Sequence, residues 1–173
     1  MFSSEDNSWE TPPELFKIYD DQYHFTLDVC ATPENTKCEK YFTIEDDGLK
    51  QNWSNDICWM NPPYSEPEQL CKPNCKKKRC EKRGYHLDKY EPGQVDWVKK
   101  AYEESCKGTV VICLLPARPD TKMFHKYIWD SKNKKPKEGV IVDFIKGRIK
   151  FVGAESSAPF PSMVVIFDIC NKL

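Results

Sequence analysis

Apolar residues along this chain gather in short β-prone runs, interrupted by one clear stretch of helical spacing. Phe25 to Ala31 and Ile57 to Met60 are two such runs, each ending in turn-forming residues, and they predict strands buried beneath helices. Over Val95 to Cys106 the period changes. Val95, Val98, Ala101 and Tyr102 recur at helical spacing, and Gly108 follows as a stop signal. Thr109 to Leu115 predicts another fully buried strand. After Pro116, Asp120 is placed to cap a helix to about Trp129, and Val140 to Ile145, Arg148 to Val152 and Met163 to Ile169 predict further strands. Strands alternating with helices imply an α/β fold, a mostly parallel sheet flanked by helices, which binds ligands at the carboxyl ends of its strands. The polar motifs of the chain fall at those ends.

With 173 residues and 39% apolar content, the chain suits one domain (1–173) around one core. No apolar run approaches the ~20 residues of a membrane span. The start, Met1 to Asp6, lacks the basic flank of a signal peptide, so a soluble, intracellular protein is expected. Of the nine cysteines, Cys58, Cys113 and Cys170 sit in apolar runs and are expected as buried thiols. Cys71, Cys75 and Cys80 lie instead in a polar, lysine-rich stretch, residues 66–92, that reads as an insertion after the second strand. Three, four and five residues separate Cys71, Cys75, Cys80 and His86. Three thiolates and an imidazole so spaced predict a small structural zinc site, with Asp88 as the alternative fourth ligand.

The formal charge of −1 hides an asymmetry, because residues 1–47 carry twelve acids and three bases while residues 71–89 carry eight bases and two acids. A local net charge of +6 is a polyanion-facing signal. Lys76, Lys77, Lys78, Arg79, Lys82 and Arg83 are the candidate polyanion contacts; a solvated surface run is the plainer alternative.

The strongest chemical signal is Asn61-Pro62-Pro63-Tyr64, directly after the run Ile57 to Met60. An amine conjugated to a purine is a poor nucleophile, since its lone pair is delocalised into the ring. Two acceptors on its hydrogens favour a more tetrahedral nitrogen. The Asn61 side-chain oxygen and the Pro62 carbonyl can supply them, with Pro62 and Pro63 stiffening the backbone. Tyr64 offers an aromatic face to a base extruded from the duplex. The plainer alternative is a pair of prolines ending a strand at a turn. Upstream, Asp28 stands at the end of another strand, where an acid can hold the cationic or hydroxyl groups of a nucleoside cofactor. No glycine-rich loop follows it, so no dinucleotide fingerprint is present.

Trp9-Glu10-Thr11-Pro12, Leu27-Asp28-Val29-Cys30-Ala31, Asn61-Pro62-Pro63-Tyr64, Leu115-Pro116-Ala117-Arg118 and Ala158-Pro159-Phe160-Pro161-Ser162 occur in one order over about Trp9 to Phe167. In that order and spacing the chain resembles the phage-encoded Dam-like DNA N6-adenine methyltransferases. The resemblance implies a Rossmann-like sheet with its last strand antiparallel, S-adenosylmethionine as methyl donor, and duplex DNA as substrate. A GATC-like target and a host-cytoplasmic location follow at the family level. It puts Thr11 and Pro12 beside the cofactor, Asp28 and Ala31 in its pocket, and Asn61, Pro62, Pro63 and Tyr64 in the catalytic loop. Asp47 and Leu49 are assigned to the cofactor's adenine end, and Phe160 to the target pocket opposite Tyr64. Thr32-Pro33-Glu34-Asn35 replaces the family's usual glycine-rich turn.

Two rival functions remain on sequence grounds. An Asn-Pro-Pro-Tyr loop also suits amino-methylation of RNA or of a protein glutamine; the basic insertion favours a nucleic acid. A catalytically inactive DNA-binding module would need only the basic segment, and the intact loop speaks against it.

Overall fold

Strands with large apolar side chains on both faces need cover on both sides, and the fold supplies it. The computed structural model describes residues 9–170. In chain order its elements are helix α1 (Pro13–Tyr23), strands β1 (Leu27–Asp28), β2 (Lys40–Tyr41) and β3 (Ile57–Met60), and helices α2 (Lys78–Arg83) and α3 (Gln94–Ser105). Strand β4 (Val110–Pro116) follows, then a π-helical turn (Phe124–Ile128) and strands β5 (Trp129–Asp130), β6 (Lys135–Pro136), β7 (Val140–Phe144) and β8 (Ser162–Phe167). The main sheet has the order β2-β1-β3-β4-β8-β7, while β5 and β6 form a separate hairpin. β1 to β4 pair in parallel, and β8 runs antiparallel to both β4 and β7. The mostly parallel sheet expected from the sequence is therefore present, and its last strand is the reversed one.

Side-chain alternation divides the core. Cys58, Met60, Val111, Cys113, Leu115, Met163, Val165 and Phe167 face α3 and the π-helical turn, which contribute Trp97, Val98, Ala101, Phe124, Tyr127 and Ile128. Trp59, Ile112, Leu114, Val164 and Ile166 face the other way, under Tyr19 of α1 and the chain segment that carries Ile149, Phe151 and Ala158. Asp28 pairs in register with Trp59, so the acid belongs to this second face, the one that α1 covers.

Helix α1 was not anticipated from the sequence. Its signals are a proline at N1, which fits a first turn, and Leu15, Phe16, Tyr19 and Tyr23 at helical spacing. The Tyr19 hydroxyl donates to Asp143 Oδ2 at 2.6 Å, tying α1 to the edge strand β7. Other expectations need correction. Arg148 to Val152 is not a strand: Ile149 and Phe151 are core anchors, and the backbone makes isolated hydrogen bonds in place of a ladder, with Val152 N donating to the distant Glu10 O and Ala158 N to Ile149 O. Thr121 rather than Asp120 caps the next turn, its Oγ1 accepting from Phe124 N at 3.3 Å, and that turn is π-helical with Trp129 already in β5. Cys58 and Cys113 are buried as expected, but Cys170 lies beyond β8, exposed, and donates to the Cys106 carbonyl.

Candidate active site

Three loops meet at one end of the sheet. The Asn61–Tyr64 loop leaves β3, Ala117 and Arg118 follow β4, and Pro159 to Pro161 lead into β8; Pro116 pairs with Ser162, and Ala117 N donates to Pro161 O at 2.8 Å. Parallel β3 and β4 exit where antiparallel β8 enters, so chain direction alone brings these separated motifs together.

The segment before α1 completes the site. The Asn61 amide nitrogen donates to the Trp9 carbonyl and, at 3.1 Å, to Thr11 Oγ1. A carbonyl can only accept, so the amide orientation is dictated by chemistry, and Oδ1 is turned towards Tyr64. The Tyr64 hydroxyl donates to Asn61 Oδ1 at 2.7 Å, with the Leu114 carbonyl also within 3.3 Å. Burial raises the Tyr64 pKa well above the ordinary phenol range, so the hydroxyl keeps its proton and remains a donor. An amide oxygen has two lone pairs, and Tyr64 occupies one of them. Among the described residues, the Pro62 carbonyl accepts no hydrogen bond from a backbone N–H.

Beside Asn61 a small pocket, open to solvent, lies between the ends of β1 and β3, lined by Trp9, Glu10, Thr11, Asp28, Cys30, Asn35, Lys37, Trp59 and Asn61. Asp28 is only 3% exposed. Its Oδ2 accepts from Lys37 N at 3.1 Å and its Oδ1 from Cys30 N at 3.4 Å. Burial pushes its pKa up to about 6, opposed by those two N–H groups and by the charge of Lys37. The Lys37 ammonium itself pairs with Glu10 at 2.8 Å across the pocket.

Of the residues chosen from sequence, Thr11, Asp28 and Asn61 thus line one pocket. Pro12 is buried at the N-cap of α1, and Ala31 is buried with its N–H on the Phe42 carbonyl; neither lines the pocket. Asp47 and Leu49 do not reach it either. Asp47 adopts a left-handed φ of 54° in a surface turn and pairs with Lys50, while Leu49 packs against the core on the α3 side. Glu10, Asn35 and Lys37 line the pocket without having been singled out. Asn35 lies within the segment that replaces a glycine-rich turn, and that departure was the available signal. Lys37 could be found only through its backbone contact with Asp28, nine residues away.

Tyr64 and Phe160 do meet, but as neighbours. Their ring centroids are 5.6 Å apart at 86°, and Phe160 also abuts Trp9 at 5.7 Å. A purine sandwiched between two parallel rings would need them roughly 7 Å apart.

Residues 66–92 stand at the far end of the Asn61–Tyr64 loop. Their ends are joined by paired backbone hydrogen bonds between Glu68 and Glu91, 2.9 Å each. Cys71, Cys75, Cys80 and His86 bring their ligand atoms within 4.8 Å of one another. Lys76, Lys77, Lys78 and Lys82 are exposed, whereas Arg79 and Arg83 pair with Glu68 at 3.3 and 3.2 Å. These arginines hold the Glu68 carboxyl below its usual range, so they already have an internal partner.

Comparison with known proteins shows the family to which the chain is similar. The family profile described as DNA N-6-adenine-methyltransferase (Dam) matches residues 2–169. A DNA N-6-adenine-methyltransferase of Haemophilus phage HP1 (strain HP1c1) is 28% identical over 174 residues, covering 95% of this chain and 80% of that relative. One from Escherichia phage T1 is 39% identical over 66 residues, 37% of this chain and 28% of the relative.

Proposed function

This chain belongs to the DNA N-6-adenine-methyltransferase (Dam) family, and we propose that it transfers a methyl group from S-adenosylmethionine to the exocyclic N6 amine of an adenine flipped out of duplex DNA. The family sets aside RNA and protein glutamine as substrates, and the complete Asn61–Tyr64 loop sets aside a purely DNA-binding role. No helix among the described residues is long and apolar enough to cross a membrane; action on DNA in the host cytoplasm fits the phage relatives. The domain is single, with residues 66–92 inserted in it.

The observation that carries this reading is the hydrogen-bonded chain Thr11–Asn61–Tyr64 at the mouth of the Asp28 pocket. A buried carboxylate with two tryptophans, Trp9 and Trp59, suits a cationic ligand, so the pocket residues fit this cofactor. When bound there, S-adenosylmethionine supplies an electrophilic methyl group on a sulfonium. Asn61 Oδ1 has its second lone pair for one amine hydrogen, and the Pro62 carbonyl takes the other. Because Trp9 and Thr11 clamp the amide nitrogen, the oxygen does not have to reorganise as charge develops on the amine, which is how preorganised acceptors lower a barrier. Tyr64 orients Asn61 through its hydroxyl, and its ring, with Phe160 beside it, is the aromatic surface offered to the base. The exposed lysines of the insertion grip phosphates and set affinity rather than sequence choice.

Methylation-sensitive sequencing of duplex DNA incubated with the protein and S-adenosylmethionine tests the whole reading. N6-methyladenine in a defined sequence context is expected. Unmodified DNA alongside methylated RNA or a methylated glutamine peptide would overturn it.

A further inference from the structure

We infer that Cys71, Cys75, Cys80 and His86 bind one structural zinc ion, and that this ion holds the basic segment against the Asn61–Tyr64 loop. Cys71 Sγ is 3.4 Å and Cys75 Sγ 3.7 Å from Cys80 Sγ, and all four ligand atoms lie within 4.8 Å of one another. Two thiolates on a tetrahedral zinc with bonds of about 2.3 Å stand roughly 3.8 Å apart, so the cluster is already near the spacing that the metal imposes. A disulfide would use two of the sulfurs at about 2 Å and strand the third. Around the cluster, Leu87 N–H points at Cys71 Sγ at 3.4 Å and the Arg83 guanidinium at Cys80 Sγ at 3.5 Å. Such donors offset the excess negative charge of three thiolates on one divalent ion. Soft sulfur with one imidazole selects zinc over magnesium or calcium, and four protein ligands leave no open position for catalysis.

The segment needs this staple. α2 has six residues, too few to persist alone in water, and four of them are Lys or Arg. Between Glu66 and Pro92 the buried side chains are Cys80 and Leu87, far too little apolar burial to offset the entropy of ordering the rest. With the metal in place the fold propagates order outward. Cys71 N donates to Leu87 O at 2.8 Å, Glu68 and Glu91 pair below it, and Gln94 N donates to Ser65 O at 2.8 Å. Gly93 packs so closely that a Cβ there would stand 2.3 Å from Pro67 N. The root of the segment is therefore continuous with Ser65, the residue after Tyr64. Arg79 and Arg83 brace the segment through Glu68, and Lys76, Lys77, Lys78 and Lys82 are left facing outward. Only the consequence for DNA rests on the methyl-transfer reading; the metal site does not.

The test uses the full chain, purified in reducing buffer without a histidine tag. Elemental analysis is expected to give close to one zinc per chain. Folded, active protein with only trace metal, stoichiometric iron in place of zinc, or a Cys71–Cys80 disulfide in the peptide map would each overturn the assignment. Because Cys75→Ser can itself unfold the segment, zinc is also removed from the wild-type chain by chelation and Co²⁺ titrated back. Wild-type protein is expected to develop thiolate-to-cobalt charge transfer and the intense visible bands of tetrahedral cobalt, and Cys75→Ser to lose them. Absence of the bands in wild type, or their survival in Cys75→Ser, refutes the site. Stripping zinc is expected to weaken duplex DNA binding by on the order of tenfold or more while S-adenosylmethionine affinity holds. Unchanged DNA affinity would remove the positioning role, whereas zinc binding in a protein that methylates no DNA would support the site and count against the proposed function instead.

Discussion

The Asp28 pocket and the basic segment adjoin the same Asn61–Tyr64 loop but are ordered by opposite means. Around the pocket, each polar group is held by a core that exists for other reasons: Trp59 is fully buried between strands, Trp9 packs on Phe151 at 5.1 Å, and Asn61 is pinned by the residues preceding α1. In residues 66–92 there is no comparable core, and order depends on thiols, an imidazole and the Glu68 ion pairs. Ion pairs at a solvent-facing surface are weak fasteners by themselves. The lesson is a division of labour. On the proposed reading, chemistry that tolerates little misplacement sits on packed structure, and phosphate gripping, which tolerates more, sits on an appendage held by its Cys/His cluster.

The largest expected effect is on the packed side. Asn61→Ala should lower turnover by roughly 100- to 1,000-fold, the usual cost of one preorganised transition-state contact. In single-turnover assays with saturating DNA and cofactor the loss should appear in the methyl-transfer step, while DNA affinity and metal content stay at wild-type levels. Near-normal turnover would remove Asn61 from the chemistry and dissolve the contrast between the two regions.

Next in size is the appendage. Replacing Lys76, Lys77 and Lys78 together by Ala should weaken DNA binding by on the order of ten- to a hundredfold and reduce the slope of log affinity against log salt by about 3, close to 0.9 per lost phosphate contact. Turnover at saturating DNA should hardly move. A salt slope equal to wild type would mean that these lysines only keep the surface solvated.

The smallest effect sharpens the pocket itself. Asp28 has its pKa raised to about 6 by burial, so near pH 5 it is mostly protonated in the free protein. A bound cation favours the carboxylate. Binding therefore releases a proton below the raised pKa, and affinity for S-adenosylmethionine should rise by up to about tenfold between pH 5 and pH 7 and level off above. The other charges facing it, Glu10 and Lys37, are already paired with each other. Calorimetry in buffers of different ionisation enthalpy would detect the proton, and an affinity flat over this range in wild type would separate Asp28 from the cation.

Local pattern carried the elements whose side chains repeat at a fixed period. Cys58–Met60 and Val111–Leu115 are buried as their spacing requires, as are Val98 and Ala101 of the α3 stripe, with Val95 partly covered; the Asn61–Tyr64 tetrapeptide and the Cys/His set were visible as residue types at short range. What escaped depended on partners distant in the chain. α1 carries its apolar residues on a weak stripe and gains its place from Trp59 and Asp143. Ile149 and Phe151 looked like a strand because buried residues also alternate in a segment that merely lies across the sheet.

By itself, then, the sequence determined the family, the parallel strand runs, the acceptor-bearing loop and the four metal-ligand candidates, because each is written in residue type and short spacing. Tertiary structure alone decided that Lys37 and Glu10 share the pocket with Asp28, that Arg79 and Arg83 serve Glu68, and that Tyr64 touches Phe160 edge to face. Those pairings join residues by direction and burial, and a linear pattern has no term for where two distant side chains point once the sheet has folded.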